Sequence, residues 1–235
     1  MAYELKDTVL IEKKPIVVEL IGPAGAGKTT LLNALNQGNQ KIQLGIDISE
    51  TRKLAHFFHN TLHMLPTYLL RYRDSRWFSR REIRTMVYLK AWLYELRKQP
   101  SNLDHIVILD HGPIYRLALM REFGPEFTKS QRYRRWWSHL LVEWITALDV
   151  IVWLDAPNSI LLERIHERDR WHVIKEKNET DAFDFLTHHR AFLEQIIAES
   201  INDHQAELLC FDTNQESVDQ MVKKILDAFK AIRRF

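Results

Sequence analysis

One cysteine, Cys210, stands in a chain of 235 residues. A single thiol allows no disulfide within the chain and no cysteine-based zinc site, and it suits a reducing compartment. Long apolar runs are missing too. The most apolar long stretch, His139–Pro157, carries Glu143 and Asp149, so it reads as a helix followed by a buried strand and not as a membrane span. The opening stretch MAYELKDTVLIEKK lacks the apolar core of a signal peptide, and a cytoplasmic protein is the expectation. No charge of one sign dominates: 33 Lys and Arg stand against 31 Asp and Glu, a formal net charge of +2. Such a balance gives no general pull toward nucleic acid. No internal repeat or low-complexity linker divides the chain. Its length suffices for one full core, and a single α/β domain over residues 1–235 is expected.

The most informative stretch is Ile16–Thr30, IVVELIGPAGAGKTT. An apolar, β-branched run ends at Gly22, and an apolar helical pattern starts at Leu31, Leu32 and Leu35. Between them, Gly22, Pro23, Ala24, Gly25, Ala26, Gly27, Lys28 and Thr29 satisfy G-x-x-x-x-G-K-[ST], with Thr30 completing the turn into the helix. Glycines let backbone N–H groups approach phosphate oxygens, and the helix start adds its dipole to the same anion. Lys28 supplies a positive charge for the β- and γ-phosphates, and the Thr29 hydroxyl can ligate Mg²⁺. A plain Gly-rich turn is the bland reading. The strand before it and the helix after it favour a nucleoside triphosphate with Mg²⁺.

Along the chain, apolar strand-like runs alternate with helical patterns. A short strand is expected at Lys41–Ile46, then a helix near Glu50 capped by Asp47 or Ser49. Helices over Thr51–Leu70 and Phe78–Lys98 flank an Arg-rich segment, Arg71–Arg81. The run His105–Asp110 reads as a buried parallel strand that delivers a carboxylate at its end. A helical region over Ile114–Ala147 breaks near Gly124-Pro125. It carries Trp136, Trp137 and Trp144, which read as core or as a dimer face. Val150–Leu154 is a further strand, and Ser159–Arg168 a helix. Asp169–Thr180 is charged and expected to be exposed. Ala182–Ile201 reads as a helix with Phe183, Leu186, Leu193 and Ile197 on one side, before a last strand at Leu208–Phe211 and a final helix. Alternation of this kind builds a three-layer α/β/α domain on a five-stranded parallel sheet. The loop at Gly22 and the strand-end carboxylates Asp110, Asp155 and Asp212 then share one rim.

Two further groups complement the loop. Asp110, in IVILDHGP, suits Mg²⁺ or an acceptor proton; its bland reading is a helix cap. In LLERIHERDR, Arg164 and Arg168 share a helical face and Arg170 follows, an arrangement that can close over a transferred phosphoryl. Glu163, Glu167 and Asp169 are their partners if the segment is only a solvated helix. His111 follows Asp110 within reach of phosphate. His188 and His189 read as ordinary polar residues, and no metal-ligand spacing stands out.

These pieces together resemble the nucleoside and nucleotide kinases among P-loop proteins, closest to the thymidylate-kinase-like branch. The resemblance rests on GPAGAGKTT, ILDHGP, IVWLDAPNSILLERIHERDR and LLCFDTNQESVDQMVKKIL. It implies a P-loop fold with a helical lid at about 164–182 and an acceptor-side helical region at about 50–100. It also implies roles: the 25–30 backbone and Lys28 on the phosphates, Thr29 and Asp110 on Mg²⁺, and Arg168, with Arg170, reaching the phosphates. Arg164 would flank the adenine, near Thr213 and Asn214. The acceptor end departs from the family. His111 stands where an Arg usually follows the Asp, and LGIDISETRK replaces a Glu-Pro-Gly-Gly loop. Arg80, Arg84, Lys90 and Arg116 are the candidates there.

The expected function is an ATP- and Mg²⁺-dependent phosphotransferase that moves the γ-phosphoryl to a small acceptor: a nucleoside, a nucleotide or a similar metabolite. Expected partners are a nucleotide and that acceptor, with no membrane and no nucleic acid, and with a homodimer as a further expectation. The alternatives are a nucleotide-binding regulatory or switch ATPase and a polynucleotide-end kinase. Neither an N-K-x-D element for guanine nor an L-S-G-G-Q-like stretch occurs.

Overall fold

The computed structural model describes residues 14–38, 41–99, 105–169, 171–201 and 206–232. Among these, β1 (Ile16–Ile21), β2 (Ile42–Leu44), β3 (Ile106–Asp110), β4 (Val150–Asp155) and β5 (Glu207–Asp212) form one sheet. Its order is β2-β3-β1-β4-β5 and every pairing is parallel. The described residues also form eight α-helices: α1 (Lys28–Gly38), α2 (Glu50–Arg71), α3 (Arg80–Lys98), α4 (Pro113–Phe123), α5 (Gln131–Ala147), α6 (Asn158–Glu167), α7 (Glu179–Ile201) and α8 (Val218–Ile232). This is the expected three-layer α/β/α arrangement.

Strand side chains alternate between two buried faces, which is why these strands are apolar throughout. Val17, Ile21, Val107, Leu109, Ile151 and Trp153 face a core built with α3, α4, α5 and the second half of α7. Ile16, Val18, Leu20, Ile108, Val152 and Leu154 face a second core with α1, α6 and α8. The order of connections reverses at β1, so the crevice beyond its carboxyl end is where such a sheet takes a ligand.

One expectation is decided and two change. Trp136, Trp137 and Trp144 are all buried, and the indoles of Trp137 and Trp144 donate to Leu117 O at 2.9 Å and Leu89 O at 3.1 Å. They are core, because the apolar stripe of α5 faces inward; the Trp136 indole N–H is buried without a partner. Phe183 is half out in solvent, while Ala182, Leu186, His189 and Leu193 are buried. Asp169–Thr180 is not uniformly exposed: Val173–Glu176 forms a 3-10 turn that buries Ile174.

Candidate active site

The backbone between β1 and α1 has its shape for steric reasons. A Cβ on Gly22 would lie 2.1 Å from the Leu154 carbonyl oxygen, so only glycine lets β1 leave the sheet this close to β4. Gly25 takes φ 86°, the left-handed region that L side chains avoid, and a Cβ there would meet Leu161 O at 2.7 Å. Lys28 opens α1 and turns back into the loop. Its Nζ donates to Gly22 O and Pro23 O, both at 2.7 Å. Burial lowers its pKa to about 8, Asp110 opposes this, and Arg168 adds to it. Thr29 and Thr30 are exposed at the first turn of the helix.

Asp110 ends β3 on the same rim, and both it and Lys28 line a cleft of about 840 Å³. Burial alone would raise its carboxyl, but the His111 imidazole and the Lys28 ammonium hold it below the usual range. Oδ1 lies 3.0 Å from His111 Nδ1, yet it is buried with no hydrogen bond of proper geometry. His111 has φ 50°, an uncommon value for a side-chain-bearing residue, and its ring meets Tyr115 edge-on at 4.5 Å.

Two devices hold this rim. The first is Glu19, in the middle of β1 and fully buried. The N-cap of α4 is Gly112, which has no side chain to offer, and Pro113 has no N–H. Glu19 fills the need from a neighbouring strand: its carboxylate accepts from Ile114 N at 2.8 Å and Tyr115 N at 2.9 Å. Burial pushes its pKa up to about 8 against the pull of those N–H groups and of Arg116. The second is a capping box at the start of α3. Glu82 N donates to Ser79 Oγ at 3.3 Å, and Ser79 N to Glu82 Oε2 at 2.6 Å. Arg76 then grips Glu82 with both Nη atoms at 2.8 and 2.9 Å. Together these fix the starts of α3 and α4 beside the cleft.

The cleft there is lined by Arg81, Thr85, Tyr115 and Arg116. Arg116 stacks its guanidinium on Trp92 at 5.0 Å, and its Nε is buried without a partner. Arg80, Arg84 and Lys90 do not line the cleft. Arg80 and Arg84 lie on the exposed side of α3, one residue off the face that Arg81 and Thr85 present, and Lys90 sits beside Glu143, His56 and His59. Of the four acceptor-side candidates among the described residues, the fold brings Arg116 to the cleft; it adds Arg81. Arg170 lies outside the described residues.

The lid side is divided. Arg168 lines the cleft just past the end of α6. Arg164 points elsewhere: it donates to Thr213 Oγ1 at 2.9 Å and Thr213 O at 3.0 Å, with Gly25 O at 3.5 Å. It thereby ties the loop to the β5–α8 turn. Asn214 in that turn is exposed, and its N–H donates to Asp212 Oδ1 at 2.9 Å. Asp155 does not line the cleft and is held by Arg190, Nε to Oδ2 at 2.7 Å and Nη2 to Oδ1 at 3.0 Å.

Besides Arg81, His189 and Trp171 are cleft residues that sequence reasoning missed. His189 is 7% exposed, stacks on Phe185 at 5.9 Å and meets Tyr115 edge-on at 6.1 Å. Burial lowers its pKa to about 4, and Lys28, His111, His188 and His172 push the same way. A signal existed: residues 182, 186, 189 and 193 are one helical stripe, and His189 is its polar member. Trp171, 73% exposed, stands at the mouth and donates to Glu176 Oε1 at 2.6 Å. Its exposure follows from the lid backbone and has no sequence signal.

No protein-family profile matches the sequence. A stretch of 165 residues is 30% identical to the ABC multidrug transporter SNQ2 of Candida glabrata, taking in 66% of this chain and 10% of the transporter. The chain thus spans about a tenth of the length of the curated relative it matches. No helix among the described residues is long and apolar enough to cross a membrane. Solved structures give the fold. Deoxyadenosine kinase from M. mycoides, with dCMP and dCDP bound, aligns at a TM-score of 0.51 and 14% identity, over 92% of this chain and 100% of that one. YorR from Bacillus subtilis, in complex with phosphorylated GDP, aligns at 0.53 and 17%, over 93% and 98%. Thymidylate kinase from Candida albicans aligns at 0.51 and 16%, over 94% and 93%. With its five parallel strands and glycine-rich loop, the chain has the fold of the P-loop nucleoside and nucleotide kinases.

Proposed function

We propose that the chain is an ATP- and Mg²⁺-dependent kinase that moves the γ-phosphoryl to a nucleoside, a nucleotide or a similar small metabolite. The observation that carries this is one cleft lined by Lys28 and Asp110 and also by Arg81 and Arg116. A binding loop alone needs no further pair of arginines in its cleft; a transferase uses them to hold an acceptor in line. The solved relatives include proteins named as kinases of a nucleoside and a nucleotide, which supports the same class.

The residues act as follows. The loop backbone and Lys28 bind the phosphates, and Lys28 exchanges its bonds to Gly22 O and Pro23 O for phosphate oxygens. Arg168 stabilises charge on the transferring group from the lid. Arg164, Thr213 and Asn214 border the base. Thr29 and Asp110 are the residues that would hold Mg²⁺, and the buried, unbonded Oδ1 of Asp110 fits a cation that also takes phosphate oxygens. Mg²⁺ supplies neutralisation of phosphate charge. An acceptor oxygen attacks the γ-phosphorus as its bond to the β-phosphate oxygen breaks, and Asp110 can take the acceptor proton. We place this activity in the cytoplasm, where the lone Cys210 stays reduced.

The test is single-turnover transfer from labelled ATP to a panel of nucleosides and nucleoside monophosphates. Lys28→Ala and Asp110→Asn are each expected to lower transfer by about a hundredfold or more while the protein stays folded. Near-wild-type turnover in both variants overturns the proposal. Slow hydrolysis with no dependence on any acceptor would favour a regulatory nucleotide-binding module.

A further inference from the structure

His189 carries a buried polar atom that the fold leaves unserved. It lies on α7, the helix that follows the lid segment, and it lines the cleft although it is only 7% exposed. Its Nδ1 is buried with no hydrogen-bond partner among the described residues. Either tautomer of a neutral imidazole leaves that atom in need of a partner, a donor when it is bare and an acceptor when it carries the proton. A buried polar atom without one costs stability, and in a native fold it calls for a specific reason such as a ligand. Packing does not supply the reason. The ring stacks on Phe185 at 5.9 Å and 14°, and it meets Tyr115 edge-on at 6.1 Å, contacts that a phenylalanine would make as well. These two rings fix the plane of the imidazole. A half-turn about χ2 keeps that plane and both contacts while it exchanges the edges of the ring, so either ring nitrogen can be presented to the cleft.

We propose that His189 hydrogen-bonds the terminal phosphoryl group of a bound nucleoside triphosphate, and so makes the site select a triphosphate over a diphosphate. This role rests on the kinase reading for where the nucleotide lies. The charges around the ring select an anion: Lys28, His111, His188 and His172 all act against its protonation, Lys28 foremost among them, and no carboxylate among the described residues offsets them. Tyr115 separates two sets of cations. Arg81 and Arg116 act on the tyrosine and not on His189. His189 therefore belongs with Lys28 and the donor phosphates, and not with the two arginines where an acceptor would lie. Among the donor phosphates the terminal one fits, because His172, on the lid segment, also acts on the ring, and Arg168 meets the transferring group from that side. An imidazole N–H donates to a phosphoryl oxygen whether the ring is neutral or charged, and the charge on that oxygen makes the ring easier to protonate than it is in the empty cleft. A diphosphate lacks the group that reaches it.

Calorimetric titration with MgADP and with the magnesium complex of a non-hydrolysable β,γ-imido analogue of ATP tests it. The wild-type chain is expected to bind the analogue more tightly than MgADP. His189→Phe, with unchanged circular dichroism, should lower affinity for the analogue about tenfold or more and leave that for MgADP within about twofold. His189→Gln keeps an N–H donor and should fall between His189→Phe and the wild type. A second measurement needs no variant to fold: the imidazole nitrogen NMR shifts of His189 in the wild-type chain should move when the analogue is added and not when MgADP is added. A histidine that only packs would weaken both ligands alike. That outcome, or no change in either affinity, overturns the proposal, as do imidazole shifts that ignore the third phosphate. None of these results touches the kinase reading. A wild-type chain that binds neither nucleotide overturns both.

Discussion

At the scale of single residues, burial shifts the pKa values of Lys28 and His189 in the cleft downward. Burial lowers Lys28, so its ammonium is half titrated at a pKa of about 8 unless phosphate stabilises it. His189 shows the same effect with a testable sign. Its ordinary pKa is about 6.5, and in the fold it is about 4. Between those values the unfolded chain takes up a proton that the folded chain refuses, so this group withdraws stability as pH falls from about 6.5 to about 4. His189→Phe keeps the stack on Phe185 and removes the titration. Urea unfolding of both proteins at about pH 7 and pH 5 should therefore show a smaller loss for the variant. Equal losses would mean that His189 is not held neutral. The residue was legible in principle as the one polar position on a buried helical stripe. Its neighbours His111 and Tyr115 come from a different element, and nothing local in the sequence joins them.

At the scale of elements, the starts of α3 and α4 beside the cleft are each placed by a cap. Ser79-Arg80-Arg81-Glu82 is a capping box readable from four letters, and it fixes the first turn of α3 so that Arg81, and not Arg80 or Arg84, reaches the cleft. The cap on α4 is different in kind, since Glu19 reaches it from β1, 95 positions away. Glu19→Ala would leave the N–H groups of Ile114 and Tyr115 buried without acceptors, at about 1–3 kcal/mol each. Because its pKa is raised to about 8, Glu19 also costs stability as pH rises above about 4.5, so the fall in unfolding free energy is expected to be largest in urea melts near pH 5 and smaller at pH 7. A change of a few tenths of a kcal/mol near pH 5 would show that water replaces the carboxylate and that Glu19 is not the cap. From sequence alone a charged residue in an apolar strand points to a functional carboxylate as readily as to a cap, because the two differ only in what the next layer of the fold sets against them.

At the scale of the whole molecule, loop, lid and the starts of α3 and α4 converge on one cleft, so a ligand there couples elements far apart in sequence. Saturating MgATP binds the folded state and should raise the melting temperature, by an amount that grows with nucleotide concentration. Trp171 stands exposed at the cleft mouth, so its fluorescence should change in the same titration and Trp171→Phe should abolish that change. Lys28→Ala should lose both responses, and a thermal shift that survives in that variant would place the nucleotide elsewhere. The sequence by itself determined the sheet and the phosphate loop. Runs such as IVVELI and IVILD bury both faces of a parallel strand, and the spacing of Gly22, Gly25, Gly27 and Lys28 is a local backbone requirement. Only the tertiary structure decided which arginines face the cleft, that Arg164 braces the loop through Thr213, and that the α5 tryptophans are core. A helix of period 3.6 has an inward side in any sequence, but which residues lie inward depends on its rotation against neighbours that the local sequence does not contain.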